Sequence, residues 1–196
     1  PSLDIPVISG SLTIDASGTR EFTISNWSDD ITYVITPTNC TVGTVSDPQG
    51  QFVITHTSGI PSYTIRATTD NLGLDDSATV TKNIVLNLRA PTLSAPADTT
   101  TLDNVVYTIT STDTNDDKLI LDIGSSNFTY GSVSHGSGSK VGNTVEVTGF
   151  TTNNPAVTVQ FTAEATYSVT AKAVDTVGSY GDSASSSADS ITITSF

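Results

Sequence analysis

The sequence predicts an all-β chain folded as two consecutive sandwich domains, and three observations predict it. Short segments alternate apolar and polar residues with a period of two, which turns one face of a strand to a core and the other to water. Turn residues (Gly, Pro, Asp, Asn and Ser) separate these segments about every 8–12 residues. The chain also repeats itself, with landmarks of its first half recurring in order in its second.

In the first half, alternation marks strands at residues 11–15, 21–25, 32–35, 52–55 and 63–67. Phe22 and Ile24 point one way; Glu21, Thr23 and Ser25 point the other. Turn signals lie between them at 16–18, 28–30, 47–50, 58–59 and 70–73. Asp47-Pro48-Gln49-Gly50 suits a tight turn, because Pro fixes φ and Gly accepts a positive φ. A last strand at 83–88 runs into Ala90-Pro91. In the second half, strands are expected at 105–110, 118–123, 144–148, 157–161, 166–171 and 191–194. Ser, Thr, Val, Ile and Asp dominate. The β-branched residues among them suit a pleated, half-buried surface. No window shows the i, i+3, i+4, i+7 spacing of an amphipathic helix.

The repeat has four landmarks. Pro1, Leu3 and Pro6 match Pro91, Leu93 and Pro96. Phe22-Thr23-Ile24 matches Tyr107-Thr108-Ile109. Residues 39–46 match 127–134, with Asn, Thr, Gly, Val and Ser identical. Tyr63, Ile65 and Ala67, then Asp70 and Gly73, match Tyr167, Val169 and Ala171, then Asp175 and Gly178. The spacing widens along the second copy, which is expected to carry longer loops in its middle. Pro91 biases Ala90 to extended geometry and removes a ladder donor. Domains are therefore expected at 1–89 and 90–196, with a short, stiff joint. Each length suits a seven-stranded sandwich.

The Tyr-x-Ile/Val-x-Ala stretch followed by Asp-x-x-Gly resembles the penultimate strand and next turn of bacterial and phage immunoglobulin-like, or fibronectin type III-like, tandem repeats. The resemblance implies two tandem immunoglobulin-like β-sandwiches, in which Tyr63 and Tyr167 lie near a strand start and pin a corner through ring and hydroxyl. The chain departs from antibody-type domains, since Cys40 is the single cysteine and cannot form an intrachain disulfide. Trp27 has no counterpart in the second copy, where Thr112 stands near its place; it is expected as a local plug or a partly exposed contact.

Seven Lys plus Arg against 20 Asp plus Glu give a net charge of −13. That sign disfavours nucleic acid and anionic membranes as partners, since phosphate binding needs clustered cations. No apolar run is long enough to span a membrane as a helix, so no membrane insertion is expected. The sequence contains no Met, and it is expected to be a processed or excised part of a longer protein, with any signal peptide already removed.

His56 and His135 are the only histidines, and neither sits in a pattern that would activate a nucleophile. No catalytic residue, cofactor-binding residue or metal ligand is assigned, and the chain is expected not to be an enzyme. Asp113, Asn115, Asp116 and Asp117 open like a calcium loop, but Lys118 follows where Gly is needed. Asp29-Asp30 and Asp75-Asp76 read as turn residues. Trp27, Phe128, Tyr130, Phe150 and Tyr180 are the aromatics available to a glycan. Asn26, Asn39 and Asn127 fit the N-x-S/T acceptor pattern.

The expectation is a spacer, display or adhesion module on a virion surface (phage tail, fibre or capsid decoration) or otherwise extracellular. A segment of a bacterial surface adhesin and a carbohydrate-binding accessory module are the alternatives. The expected partners are proteins of a larger assembly and, in the alternatives, a cell-surface glycan. Sandwiches leave edge strands, which template pairing, so a self- or partner-assembly contact is expected along one of them.

Overall fold

A computed structural model describes residues 1–15, 18–46, 50–70, 73–100, 103–152 and 154–195. The turns expected at 16–18, 47–50 and 70–73 fall partly outside these residues. Every regular element described is a β-strand. The chain divides into two compact units, Pro1–Asn87 and Leu88–Phe196. The division falls just before the boundary read from Pro91. Leu88 is buried in the second core, and its N–H donates to the Gly181 carbonyl at 2.9 Å.

The first unit contains β1 (Ile8–Ser9), β2 (Thr13–Asp15), β3 (Thr19–Ile24), β4 (Thr32–Thr38), β5 (Cys40–Val42), β6 (Gln51–His56), β7 (Ser62–Thr68), β8 (Val80–Asn83) and β9 (Val85–Asn87). One sheet has the order β1-β3-β6-β5 and another β4-β7-β8, all antiparallel; β2 pairs in parallel with β9. Four strands of one sheet facing three of the other, in this chain order, make an immunoglobulin-like sandwich. The strand expected at 83–88 is broken at Ile84. Ile84 turns inward, 1% exposed, and its N–H donates to the Pro61 carbonyl, so the chain changes partner from β7 to β2 there. Phe22, Phe52 and Tyr63 meet at the centre, with ring centroids 5.4–5.7 Å apart.

The second unit contains β10 (Thr92–Ser94), β11 (Thr99–Thr100), β12 (Asn104–Thr110), β13 (Lys118–Asp122), β14 (Phe128–Val133), β15 (Ser137–Val141), β16 (Thr144–Thr148), β17 (Ala156–Phe161), β18 (Ala165–Val174) and β19 (Asp189–Thr194). Its sheets run β10-β12-β17-β14 and β11-β19-β18-β13-β16-β15. The first repeats the larger sheet of unit one. The second repeats the β4-type sheet and adds two strands. The extra length in this copy is therefore an added hairpin, not longer loops. Gly142 and Asn143 make its two-residue turn, with Gly142 at φ 61°, as a primed hairpin turn requires. On β15, a Cβ on Gly138 would lie 2.3 Å from the Tyr130 hydroxyl, so the ring of Tyr130 reserves that position for glycine.

Comparison of the two units corrects the alignment of their penultimate strands. In unit one Arg66 pairs with Asp76 and Ala67 N–H donates to Ser77 Oγ; in unit two Lys172 pairs with Asp182 and Ala173 N–H donates to Ser183 Oγ. Arg66-Ala67 thus corresponds to Lys172-Ala173. Tyr63 stands where Val169 stands, two residues further along the strand than Tyr167. Only Tyr167 pins a corner, its hydroxyl donating to the Ala163 carbonyl at 2.9 Å. The Tyr63 hydroxyl is buried among the aromatic rings and donates to nothing.

Candidate functional site

Two carboxylates of the second unit, Asp175 and Asp117, meet at the connection between β18 and β19. Asp175, directly after β18, turns its carboxylate into the loop that follows. Oδ1 accepts the N–H groups of Val177 and Gly178 at 2.9 and 3.2 Å, and Oδ2 those of Ser179 and Tyr180 at 2.9 and 2.8 Å. Enclosure by itself pushes the Asp175 carboxyl up; the four N–H groups together outweigh it and hold the group below the usual carboxylate range. Asp117, just before β13, takes the remaining loop donors, Thr176 N–H at 2.9 Å and Thr176 Oγ1–H. Two carboxylates therefore fix one short loop from inside and from the side. Val177 stands at its tip, 81% exposed. Val177 is the most exposed of the large apolar side chains among the described residues, and it is carried on a loop whose backbone is anchored rather than free.

Beside this loop lies a cleft of about 260 Å³ lined by Asn115, Asp116, Asp117, Asp175, Val177 and Tyr180. Asp116 Oδ2 is enclosed there without a donor. Burial, with the neighbouring carboxylates of Asp113 and Asp117, pushes its carboxyl up against the pull of a hydrogen bond from Ser111. Asp113 instead accepts the Arg89 N–H. Among the described residues, no three His, Cys, Asp or Glu side chains gather as a metal-holding group.

The remaining sequence candidates are dispersed. His56 Nε2 lies 2.9 Å from the Gly59 carbonyl in the first unit, and His135 Nδ1 lies 3.0 Å from Ser134 Oγ in the second. Ser134 Oγ also accepts the Ala156 N–H, which makes it a strand-end anchor. Trp27 is a plug: half-buried, stacked on Tyr33 at 4.9 Å, its Nε1–H donated to Asp29 at 2.9 Å. Phe128 is core, and Tyr130, Phe150 and Tyr180 pack against that core. Asn26 spends its amide on Val7 N–H and the Ile5 carbonyl, tying down the N-terminal segment. Asn39 has φ 58° and donates to the Ile60 carbonyl at 3.0 Å. Cys40 is buried, which pushes its thiol up, and Sγ–H donates to the Ser62 carbonyl.

Sequence reasoning missed three serines. Ser77, Ser183 and Ser186 each accept a strand N–H through Oγ (from Ala67, Ala173 and Ala171) and each donate their own N–H to that residue's carbonyl. They complete the outer side of β7 and β18 where the next segment is not yet a strand. The signal was the pairing of Arg66 and Lys172, each preceding Ala, with the Asp-Ser dipeptides at 76–77 and 182–183.

No protein-family model matches the chain, and no curated protein matches it. Solved structures do match. Chicken contactin-1 FN1–FN3 domains align over 98% of this chain and 68% of theirs, at 12% identity and TM-score 0.37. The D00–D0 domain of intimin aligns over 94% and 96%, at 14% and 0.35. The Yersinia pseudotuberculosis adhesin InvE aligns over 95% of this chain, at 16% and 0.29; the chain spans 58% of that structure. At these scores the immunoglobulin-like assignment rests on the chain's own strand order. No helix among the described residues is long and apolar enough to cross a membrane.

Proposed function

We propose that the chain is a non-enzymatic spacer and display module of an extracellular or virion-surface assembly, and that the 175–180 loop is a surface it presents to a protein partner. The supporting observation is the loop itself. Asp175 and Asp117 pin its backbone in advance, and Val177 stands in water at its tip. A binding loop ordered before contact avoids the entropy of being ordered on contact. The same observation supports the non-enzymatic reading for two of the cleft's carboxylates: Asp175 is committed to four backbone donors and Asp117 to the N–H and hydroxyl of Thr176, and the unpaired Asp116 beside them has no histidine or cysteine among the residues that line the cleft.

Beads coated with the whole chain, offered to fractionated virion and cell-surface proteins and to a glycan array, test the reading. The expected result is retention by a protein fraction, lost in Val177→Asp while the melting temperature holds. Retention indifferent to Val177→Asp contradicts the loop assignment. Turnover of ester, phosphate or glycoside substrates by the chain contradicts the non-enzymatic reading.

A further inference from the structure

Strand β4 of the first unit has an open edge, and the second unit shows how the same edge is closed. Tyr33 lies opposite Ala67 as Leu119 lies opposite Ala173, so β4 and β13 hold the same place in their sandwiches. On its outer side β13 has β16, with Val147 and Val145 opposite Leu119 and Leu121. All four of these side chains are 0% exposed. β4 is the last strand of its sheet. Tyr33 and Ile35, the counterparts of Leu119 and Leu121, are only half-buried, and Val34, Thr36, Pro37 and Thr38 are exposed.

The direction of the free backbone groups follows from the neighbours. Thr68 Oγ1 donates to the Thr32 carbonyl, so Thr32, Val34, Thr36 and Thr38 turn their backbone groups toward β7. Tyr33, Ile35 and Pro37 turn theirs outward. Pro37, which has no N–H, sits where proline is tolerated in a strand, on the open side.

We propose that a second copy of the chain closes this edge, β4 pairing antiparallel with β4 about a twofold axis at Ile35. This inference is independent of the function proposed above. β16 runs antiparallel to β13, so a twofold-related β4 arrives in the sense that the fold already accepts. The strand is self-complementary in that register. Ile35 faces its own copy and Tyr33 faces Pro37 on the core side; Val34 faces Thr36 and Thr32 faces Thr38 on the water side. Centring on Ile35 pairs all seven residues of the strand and moves both prolines to the outermost hydrogen-bonding pairs, whereas centring on Pro37 would set them opposite each other at the axis. With Ile35 at the axis, the Ile35 groups bond each other reciprocally, and each Tyr33 N–H finds a Pro37 carbonyl. The strand carries no charge, so two chains of net charge −13 meet along it without apposing like charges. Two short strands bury less than the ~1,000 Å² of a stable interface, so the pairing is weak and depends on concentration.

Analytical ultracentrifugation of the whole chain over a concentration series tests this, with two variants on the exposed face. V34K/T36K places ammonium groups opposite one another across the twofold while lowering the overall repulsion between acidic chains. V34K/T36E places ammonium opposite carboxylate at unchanged net charge. The expected result is a reversible dimer in the natural chain. Its dimerisation constant weakens by at least about tenfold in V34K/T36K and returns in V34K/T36E. Matching far-UV circular dichroism and melting curves show that all three are folded. A chain that stays monomeric at every concentration overturns the proposal, as does one that takes up only strands of other proteins. Dimerisation equal in both variants assigns the contact to another surface and also overturns it.

Discussion

At the scale of single residues, three tyrosines with similar burial hold their hydroxyls differently. Tyr167 donates to Ala163; Tyr63 and Tyr107 are fully buried and donate to nothing. A hydrogen bond of this type contributes about 0.5–1.5 kcal/mol net, whereas an enclosed, unpaired hydroxyl costs stability. Tyr167→Phe is expected to lower stability by about that amount. Tyr63→Phe and Tyr107→Phe are expected to leave it unchanged or raise it, and Phe22, at the place of Tyr107, shows that the bare ring fits. Urea unfolding of the three variants checks the contrast. Burial pushes both unpaired phenols up, with Cys40 adding to the effect at Tyr63 and Asp189 at Tyr107. Asp175 contributes to the acid response. Its carboxyl is held low in the folded chain, so it contributes stability above the ordinary carboxylate pKa that is lost as pH falls through the depressed folded value. On acidification, amides of residues 177–180 should lose protection in the natural chain. In Asp175→Asn they should be less protected already at neutral pH, with the acid step removed; an unchanged acid step in that variant contradicts the assignment.

At the scale of elements, the hairpin β15–β16 is the main difference between the two units. The sequence hides the hairpin's first strand, β15. Residues 134–140 are glycine or polar, with glycines at 136 and 138 and no large apolar side chain to alternate. Only Gly142-Asn143 between Val141 and Thr144 marked a two-residue turn, a signal that pattern reading without it leaves as loop. β16 and β17 were legible because each alternates Val with polar residues, and β13 because it is a short aliphatic run, Leu119-Ile120-Leu121, between polar residues. β9 was not separable from β8, because Ile84 runs into the apolar Val85-Leu86 without a turn residue and only its inward turn breaks the strand. The hairpin has an energetic consequence. Leu121→Ala removes a side chain enclosed on both flanks and should cost about 2–5 kcal/mol. Ile35→Ala, at the equivalent place on the open strand, should cost about 1 kcal/mol, since less apolar surface returns to water. Chemical denaturation of both variants measures the difference, and equal losses contradict the equivalence of the two sites.

At the scale of the whole molecule, one sandwich plan is used twice, with a changed border. The class was legible because alternation, turn residues and an internal repeat agree, and agreement across levels is what specifies a fold. The candidate site was legible only in part. Asp175 was visible as one half of a repeated Asp-x-x-Gly, but its four backbone contacts depend on a turn geometry that no spacing encodes. Asp117 read as a member of a calcium-like opening, and its partner Thr176 is distant in sequence. The open edge of β4 could be seen only once β16 was placed, since an edge is defined by which strand is missing beside it.

Amide hydrogen exchange, residue by residue, bears most directly on this plan. It should be followed at a concentration low enough to keep the chain monomeric. The outward N–H groups of Leu119 and Leu121 are bonded to β16, and those of Tyr33 and Ile35 face water, while Val34 and Thr36 are bonded to β7. The expected result is slow exchange at Leu119, Leu121, Val34 and Thr36, with fast exchange at Tyr33 and Ile35. Exchange at Tyr33 and Ile35 as slow as at Leu119 and Leu121, or fast exchange at all four, would contradict two sandwiches of one plan that differ by a hairpin.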